Sequence, residues 1–301
     1  MSGSSSRNTI SPGSQPASGG TLSAGLYVVA TPIGNLDDLS PRARHILSHA
    51  DLVLAEDTRV ALRLLGSFGA TATVESYNDV NGAKVRPRIL ARLAAGAAVA
   101  LTSDAGTPLI SDPGYRLVDE ARSAGIPVHA VPGPSAAIAA LSVAGLPSDR
   151  FLFAGFLATR STQRRRELGE LARIPATLIF YESANRLPAM LADARDVLGR
   201  RTVAVARELT KFYEEVRRGP LDEIAAHYAD AGPPRGEIVV LVGPPVAEAE
   251  TDWADVDRRL SELLDRERTR EAVDAVAAET GLPRRDVYRR ALALKGDDGD
   301  A

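Results

Sequence analysis

The sequence contains no cysteine, which excludes disulfide scaffolds, thiolate metal sites and cysteine nucleophiles. Its four histidines give no metal pair of the HExxH type. The motifs GxGxxG, GxxxxGK(S/T) and GxSxG are also absent, so nothing indicates a common dinucleotide-binding fold, a P-loop or a serine hydrolase. Every apolar run is interrupted well before the ~20 residues needed to cross a membrane. We therefore expect a protein of the cytosol that has no metal site and does not enter a membrane.

The composition is that of an ordinary globular protein. The 301 residues are 45% hydrophobic and 25% charged, with a net charge of −3. Only three of the 36 basic residues are lysines, and the abundance of arginine and alanine is typical of a GC-rich genome. The arginine content by itself is therefore weak evidence for binding to nucleic acid, and the distribution of the arginines matters more.

Short valine-rich runs alternate with amphipathic stretches along most of the chain. LYVVAT, DLVLA, VALTS and IPVHAV form a first series before residue 132, and FLFAGFL, TLIFYE, TVAVARE and EIVVLVG form a second after residue 150. This alternation predicts βαβ units and a mostly parallel sheet. Ser40-Pro41 and Asp112-Pro113 each predict a helix start, with an N-cap followed by proline.

The remaining segments complete the predicted organisation. The Ser-, Gly- and Pro-rich start predicts a disordered leader, and residues after 254 switch to a purely helical period around Gly281. The predicted parts are a leader at 1–24, α/β domains at 25–147 and 148–245, a linker at 246–254, a three-helix tail at 255–295 and an acidic end at 296–301.

Seven unusual loops follow the predicted strands, at the sheet edge where open α/β folds bind ligands. Among them are TPIGNLDDLSPRA, AEDTR, SDAGTPLISDPG, VPGPSA, FYES-x-x-R and ARELTK. In this order the loops closely resemble those of the ribosomal RNA small subunit methyltransferase I family, which belongs to the tetrapyrrole methylase superfamily. The resemblance spans residues 26–243, and only the leader and the acidic end are atypical.

The resemblance implies an α/β fold of two αβα domains of the tetrapyrrole methylase type, with S-adenosylmethionine in the cleft between them. It implies 2′-O-methylation of a cytidine in 16S ribosomal RNA, on free RNA or on the small ribosomal subunit, by a protein that is commonly a homodimer. The motif positions that match the cofactor site of the family are Pro32, Ile33, Gly34, Asp104, Thr107, Ser135, Ala136, Tyr181, Ala206 and Glu237.

The chemistry of the cofactor supports part of this assignment independently. Its ammonium, carboxylate and sulfonium require an acidic group, free amides and small neighbouring residues. Asp104, between Ser103 and Ala105, supplies the carboxylate, although an Asp in such a loop is also a common turn or helix cap.

A ribose hydroxyl is a weak nucleophile at neutral pH, so a proton acceptor would assist the transfer. No histidine lies in the seven loops, which leaves Glu182 or Glu208, and Lys211 if its pKa is lowered, as candidate catalytic residues. The alternative is that Glu182 pairs with Arg186, and Glu208 with Lys211, as structural ion pairs. Two roles stay equally open for Glu56, Asp57 and Arg59: contacts to a sugar, or a salt bridge at the end of a strand.

Two clusters of arginines flank the predicted cleft and indicate an RNA-binding surface. Runs of charged residues more commonly form a helix face that is simply exposed to solvent. With arginines from the loops, the predicted RNA contacts are Arg59, Arg160, Arg164, Arg165, Arg166, Arg186, Arg207, Arg284, Arg285, Arg289 and Arg290. Two other functions stay open: methylation of a small tetrapyrrole, and binding to the ribosome without catalysis.

Overall fold

The computed structural model describes residues 22–245 and 253–297. Most of the predicted leader, the predicted linker up to residue 252 and residues 298–301 lie outside this described part. The chain divides into two compact units, the first ending at Pro245 and the second comprising the residues after it. Within the described ranges, no helix combines the length and the apolar character needed to span a bilayer.

The first half of the larger unit contains a five-stranded sheet in the order β3-β2-β4-β1-β5, in which every pairing is parallel. Its central strands are short, apolar and buried on both faces, as is typical of parallel sheets covered by helices. The strands are β1 (Gly25–Val29), β2 (Leu52–Ala55), β3 (Val74–Ser76), β4 (Ala98–Leu101) and β5 (Val128–Val131).

Five helices connect and cover these strands: α1 (Pro41–His49), α2 (Thr58–Ser67), α3 (Gly82–Ala94), α4 (Tyr115–Ser123) and α5 (Ala136–Val143). The predicted start of α1 is confirmed, because the Ser40 hydroxyl accepts the Ala43 N–H and Pro41 is the first helical residue. The predicted start at Asp112-Pro113 is wrong. Helix α4 begins at Tyr115 after Gly114, whose φ of 135° favours glycine.

The second half contains a sheet in the order β6-β7-β10-β8-β9. Only β6 and β7 are parallel, and the other three pairings are antiparallel. The prediction of a mostly parallel sheet therefore fails here. The reason is β9, whose sequence EVRRGP has no apolar run and which forms a hairpin with β8. The strands are β6 (Phe151–Phe156), β7 (Thr177–Ser183), β8 (Thr202–Arg207), β9 (Glu215–Pro220) and β10 (Glu237–Val242).

Helices cover one face of this sheet, and helix α5 of the first half covers the other. The covering helices are α6 (Ser161–Leu171), α7 (Leu187–Leu198) and α8 (Leu221–Ala231). Ala140 and Leu141 of α5 share one buried cluster with Ile179, Val239 and Leu241 of the second sheet. The two halves are therefore joined by a packed apolar core that fixes the cleft between them.

The smaller unit is a three-helix arrangement, as predicted. It consists of α9 (Trp253–Leu264), α10 (Thr269–Thr280) and α11 (Arg284–Asp297), packed around Val256, Leu260, Val273 and Val276. Gly281 ends α10 in the left-handed conformation, with a φ of 70°.

Candidate active site

A cleft of about 450 Å³ lies between the two halves of the larger unit, within the size range of small-molecule sites. It is lined by the loops after β1, β4 and β5 and by the ends of β7, β8 and β10. Eight of the ten predicted cofactor residues line it: Ile33, Asp104, Thr107, Ser135, Ala136, Tyr181, Ala206 and Glu237. The other two, Pro32 and Gly34, line a neighbouring cavity instead.

Glycines keep the cleft open where the chain crosses it. Gly106 has a φ of 81°, and a Cβ there would lie 3.3 Å from the Ile33 side chain. Gly236 has a φ of 101°, and a Cβ there would lie 2.5 Å from Cδ of Glu208. Side chains at either position would strain the backbone and disturb the cleft wall.

Gly34 lies against the loop after β8, where a side chain would not fit. A Cβ at Gly34 would lie 2.6 Å from Cγ of Lys211 and 2.8 Å from Oγ1 of Thr210. The glycine therefore allows the first loop to pack closely against the loop after β8.

Carboxylates are concentrated at the first half's edge of the cleft. Burial raises the pKa of Glu56, and the neighbouring carboxylates of Asp104, Asp112, Asp79 and Asp57 raise it further. Burial also raises the pKa of Asp112, with a smaller contribution from Asp104. This edge of the cleft therefore favours a cationic group.

Sequence reasoning missed several lining residues, including Asp112, Ile110, Ser111 and Phe156. The first three lie in the SDAGTPLISDPG loop, where Asp112 was interpreted only as a helix cap. What sequence reasoning lacked is the backbone conformation of this loop. Leu109 and Ser111 both have positive φ and turn the loop toward the cleft. Phe156 packs edge-on against Tyr181, with ring centroids 5.6 Å apart, and extends the cleft wall.

Glu182 borders the cleft, but strand alternation directs its side chain toward the face of the sheet opposite to that of Tyr181. Leu178 and Phe180 share its face and belong to the core beneath the covering helices, whereas Tyr181 belongs to the opposite face. Glu182 is buried and forms an ion pair with Arg186 at 3.2 Å. The guanidinium of Arg186 also donates to the Leu157 carbonyl at 2.6 Å. This geometry favours the structural ion pair over a role as base, and it occupies Arg186.

Glu208 and Lys211 also form the predicted structural alternative. Oε1 of Glu208 accepts the Glu237 backbone N–H and the Lys211 ammonium, each at 3.0 Å, and these hydrogen bonds lower the pKa of Glu208. Burial alone would lower the pKa of Lys211, but the carboxylates of Glu237 and Glu208 outweigh it and raise that pKa. A base at Lys211 required a lowered pKa, so this hypothesis is not supported.

The arginines predicted to bind RNA fall into two groups. Those with free or partly paired, exposed side chains are Arg59, Arg160, Arg166, Arg285 and Arg289. Those held in ion pairs with neighbouring elements are Arg164, Arg165, Arg186, Arg207, Arg284 and Arg290.

Arg164 requires a correction. Its side chain is 5% exposed, lies 2.6 Å from the Asp193 carboxylate and donates to the Thr159 carbonyl at 3.1 Å. A guanidinium enclosed in this way cannot reach a phosphate. The three arginines at 164–166 are consecutive residues of α6, and the first of them faces the core. The sequence alone does not show this difference between them.

Replacing Arg164 with alanine is expected to destabilise the protein by about 1.5–3 kcal/mol, because the Asp193 carboxylate would lose its most buried charged partner and keep only Arg165 at 3.2 Å and the Ser161 hydroxyl. Arg166→Ala is the matched control on the same helix, since its side chain is exposed and its ion pair with Glu170 is 3.7 Å long. Denaturant unfolding of both variants measures the difference. Equal stability of the two variants would contradict the structural role of Arg164.

No group of side chains with the donor set of a metal site occurs in the described part of the chain. The cleft is lined by carboxylates, hydroxyls and small apolar residues.

Comparisons with known proteins agree with this architecture. The family model described as Tetrapyrrole (Corrin/Porphyrin) Methylases matches residues 25–225, and the model described as RsmI C-terminal HTH domain matches residues 250–295. The structure of uroporphyrin-III C-methyl transferase from Thermus thermophilus complexed with S-adenyl homocysteine has a TM-score of 0.51 at 22% identity, over 73% of this chain and 97% of that one. At that identity the likeness shows the fold alone.

Sequence relatives are much closer. The ribosomal RNA small subunit methyltransferase I of Mesorhizobium japonicum is 49% identical over 280 residues, which cover 93% of this chain and 95% of that protein. The protein of the same name from Erythrobacter litoralis is 51% identical over 274 residues, which cover 91% and 96%. This chain therefore belongs to the ribosomal RNA small subunit methyltransferase I family, whose catalytic unit has the tetrapyrrole methylase fold.

Proposed function

We propose that this protein transfers a methyl group from S-adenosylmethionine to the ribose 2′-hydroxyl of a cytidine in 16S ribosomal RNA. The observation that carries the proposal is the convergence of eight predicted cofactor residues on one cleft, in a chain whose relatives are ribosomal RNA methyltransferases. Methylation of a small tetrapyrrole is not favoured, because the close relatives carry the RNA-modifying name and the tetrapyrrole enzymes share only the fold.

The residues of the cleft fit S-adenosylmethionine. Asp104 supplies a carboxylate for the ammonium, and the surrounding acidic edge favours the sulfonium charge. Gly106, Ser135 and Ala136 allow the backbone to approach a ligand closely, and α5 begins directly at Ala136. Tyr181 supplies an aromatic ring to the wall, and its hydroxyl hydrogen-bonds to the Ala137 backbone and to the Ser135 side chain.

The cofactor supplies a methyl group already activated by a sulfonium. In the transfer, the bond between the ribose 2′-oxygen and the methyl carbon forms as the carbon–sulfur bond breaks with its electron pair on sulfur, and the 2′-hydroxyl proton leaves to a carboxylate or to water. The protein's own contribution is to hold the two reactants in line, and such positioning can lower the barrier by up to ~7–11 kcal/mol.

RNA would reach the cleft across the arginines that remain exposed. Arg160 and Arg166 lie at and near the start of α6, and Arg59 lies at the start of α2. Arg285 and Arg289 lie on α11 of the smaller unit. Contacts to phosphate by these residues would give affinity that depends on salt and little on sequence.

We further propose that the protein acts in the cytoplasm as a homodimer. Apart from Ser142, helix α5 consists of apolar residues: Ala137, Ala140 and Leu141 are buried, while Ile138 and Val143 are exposed. A helix of this kind is normally covered on both sides, and a second copy of the chain is the partner we propose. Sedimentation of the purified protein tests this, and a monomer at micromolar concentration would contradict it.

We expect the purified protein to transfer labelled methyl groups from S-adenosylmethionine to small ribosomal subunits that lack the modification, and not to porphyrin precursors. The modified nucleoside should be 2′-O-methylcytidine after complete digestion. Addition of a chelator should leave S-adenosylmethionine binding unchanged, because the sulfonium needs no metal for activation. Transfer to a porphyrin precursor, or to no acceptor at all, would refute the proposed function.

A further inference from the structure

A second cavity, of about 340 Å³, lies beside the cofactor cleft and within the first half of the larger unit. Its floor is formed by Leu47, Val53 and Leu65 of the buried core, and Val60 and Leu64 of α2 form one wall. Nothing in the proposed binding of S-adenosylmethionine uses this space.

The two cavities are separated by the loops after β1 and β4. In the first loop, Pro32 and Gly34 face the second cavity while Ile33 faces the cofactor cleft. In the other loop, Thr102 and Ser103 face the second cavity. Neighbouring residues of one loop therefore line two different spaces.

Asp104 is the residue at which the two spaces meet, because it borders both of them. Its Oδ1 accepts the backbone N–H of Asp57 at 3.0 Å, which fixes the carboxylate at this position. Methyl transfer requires that the methyl donor and the acceptor be held in line with each other. Here the donor would lie in the cofactor cleft and the acceptor in the second cavity. The position of Asp104 matches that requirement.

The chemistry of the second cavity fits a nucleoside. The hydroxyls of Thr31 and Thr102 donate to backbone carbonyls, so their oxygens remain as acceptors for the donor groups of a base or a ribose. The walls are otherwise apolar and suit a planar base. Arg63, also in the lining, has no carboxylate within ion-pair distance among the described residues, and it can bind a phosphate.

We propose that this cavity receives the target nucleoside of the RNA, turned out of its strand, with its ribose beside Asp104 and its phosphate near Arg63. The proposal rests on the proposed function and names the acceptor site for it. RNA loops present unstacked nucleotides that can enter such a pocket. At the lower end of the ~300–1,000 Å³ range of ligand sites, the cavity suits one nucleoside and excludes a tetrapyrrole macrocycle.

Filling the cavity tests the proposal. Ala61 is buried on α2 and lines the cavity, so a phenyl ring at Ala61→Phe would occupy the space proposed for the base. Methyl transfer to undermodified small subunits should fall by ~100-fold or more, while S-adenosylmethionine binding stays within about twofold of wild type. Leu62→Phe is the matched control, because Leu62 is the next residue of the same helix, is 54% exposed and does not line the cavity.

The absence of cysteine offers a second measurement that does not depend on the tolerance of α2 for phenylalanine. Leu64→Cys introduces a single thiol into the cavity wall, and Leu62→Cys introduces one outside it. With S-adenosylhomocysteine present, undermodified subunits should slow maleimide labelling at position 64 by ~10-fold and should slow it much less at position 62.

The outcomes separate the two proposals. If the wild-type protein methylates RNA but Ala61→Phe does so equally well, or if both thiols are protected equally, the nucleoside does not enter this cavity and the proposed function stands. If the wild-type protein methylates no RNA, the proposed function itself fails.

Discussion

Replacing Asp104 with alanine should weaken S-adenosylmethionine binding at least ~10-fold and slow methyl transfer by ~100-fold or more. The first effect follows from loss of a charge-assisted hydrogen bond to the ammonium, which contributes about 1.5–3 kcal/mol. The second follows because Asp104 borders both the cofactor cleft and the neighbouring cavity, so its carboxylate faces both reactants. Calorimetric titration with the cofactor and single-turnover transfer to undermodified small subunits measure the two effects separately.

The variant Asp104→Asn separates charge from structure. An asparagine oxygen can still accept the Asp57 backbone N–H, so the loop should keep its conformation while the negative charge is lost. Asp119→Asn, on the exposed side of α4, is the control for a general change in charge. If Asp104→Asn and Asp104→Ala both bind and react like wild type, Asp104 is a structural residue and the meeting point of the two reactants lies elsewhere.

Local patterns in the sequence predict the alternating strands and helices, and the resemblance of the loop motifs to one family predicts most of the cofactor cleft. Buried parallel strands such as β2 and β4 are apolar throughout, and the loops that follow them are rich in glycine, proline and aspartate. Strand β9 was missed because EVRRGP is partly exposed at a sheet edge, so burial leaves no apolar pattern in it. Register at that edge is set by the hairpin with β8, a contact that no local pattern encodes.

The direction of individual side chains is what the sequence does not provide. Glu182 and Tyr181 are neighbours in one motif, yet strand alternation places them on opposite faces of the sheet. Arg164 and Arg166 are two positions apart on one helix, and one faces the core while the other faces solvent. Residue type alone suggested a base and an RNA contact, whereas the faces of the elements indicate two structural ion pairs.

In the smaller unit, too, some arginines are held in ion pairs between helices and others are exposed to solvent. Arg284 pairs with Asp274 of α10, and Arg290 pairs with Asp257 of α9 at 2.6 Å and lies 5.7 Å from the Trp253 ring. These two arginines hold the three helices together. Arg285 and Arg289 are 91% and 76% exposed, and the single nearby carboxylate of Asp286 is shared between them. They are therefore the residues of α11 available to phosphate.

Deleting everything after Pro245 should leave the larger unit folded and cofactor binding unchanged, since all residues of the cofactor cleft precede that point. Affinity for small ribosomal subunits should fall at least ~10-fold, because the two exposed arginines of α11 that are proposed to contact phosphate are lost with the unit. The log–log dependence of affinity on salt should become shallower by roughly 0.7–0.9 for each phosphate contact removed, or about 1.5 for two. Filter binding over a range of salt concentrations measures both quantities.

A narrower change assigns the effect to particular side chains. The double variant Arg285→Glu, Arg289→Glu should reproduce most of the loss of affinity without removing the unit, because both side chains project from α11 and hold none of the helices together. Arg266→Glu, on an exposed arginine after α9, is the control for reversing the charge of an exposed arginine elsewhere in the unit. If the truncated protein binds subunits with wild-type affinity and salt dependence, the smaller unit does not contact RNA. If the truncation loses affinity but the double variant does not, the contact lies on a different face of the three helices.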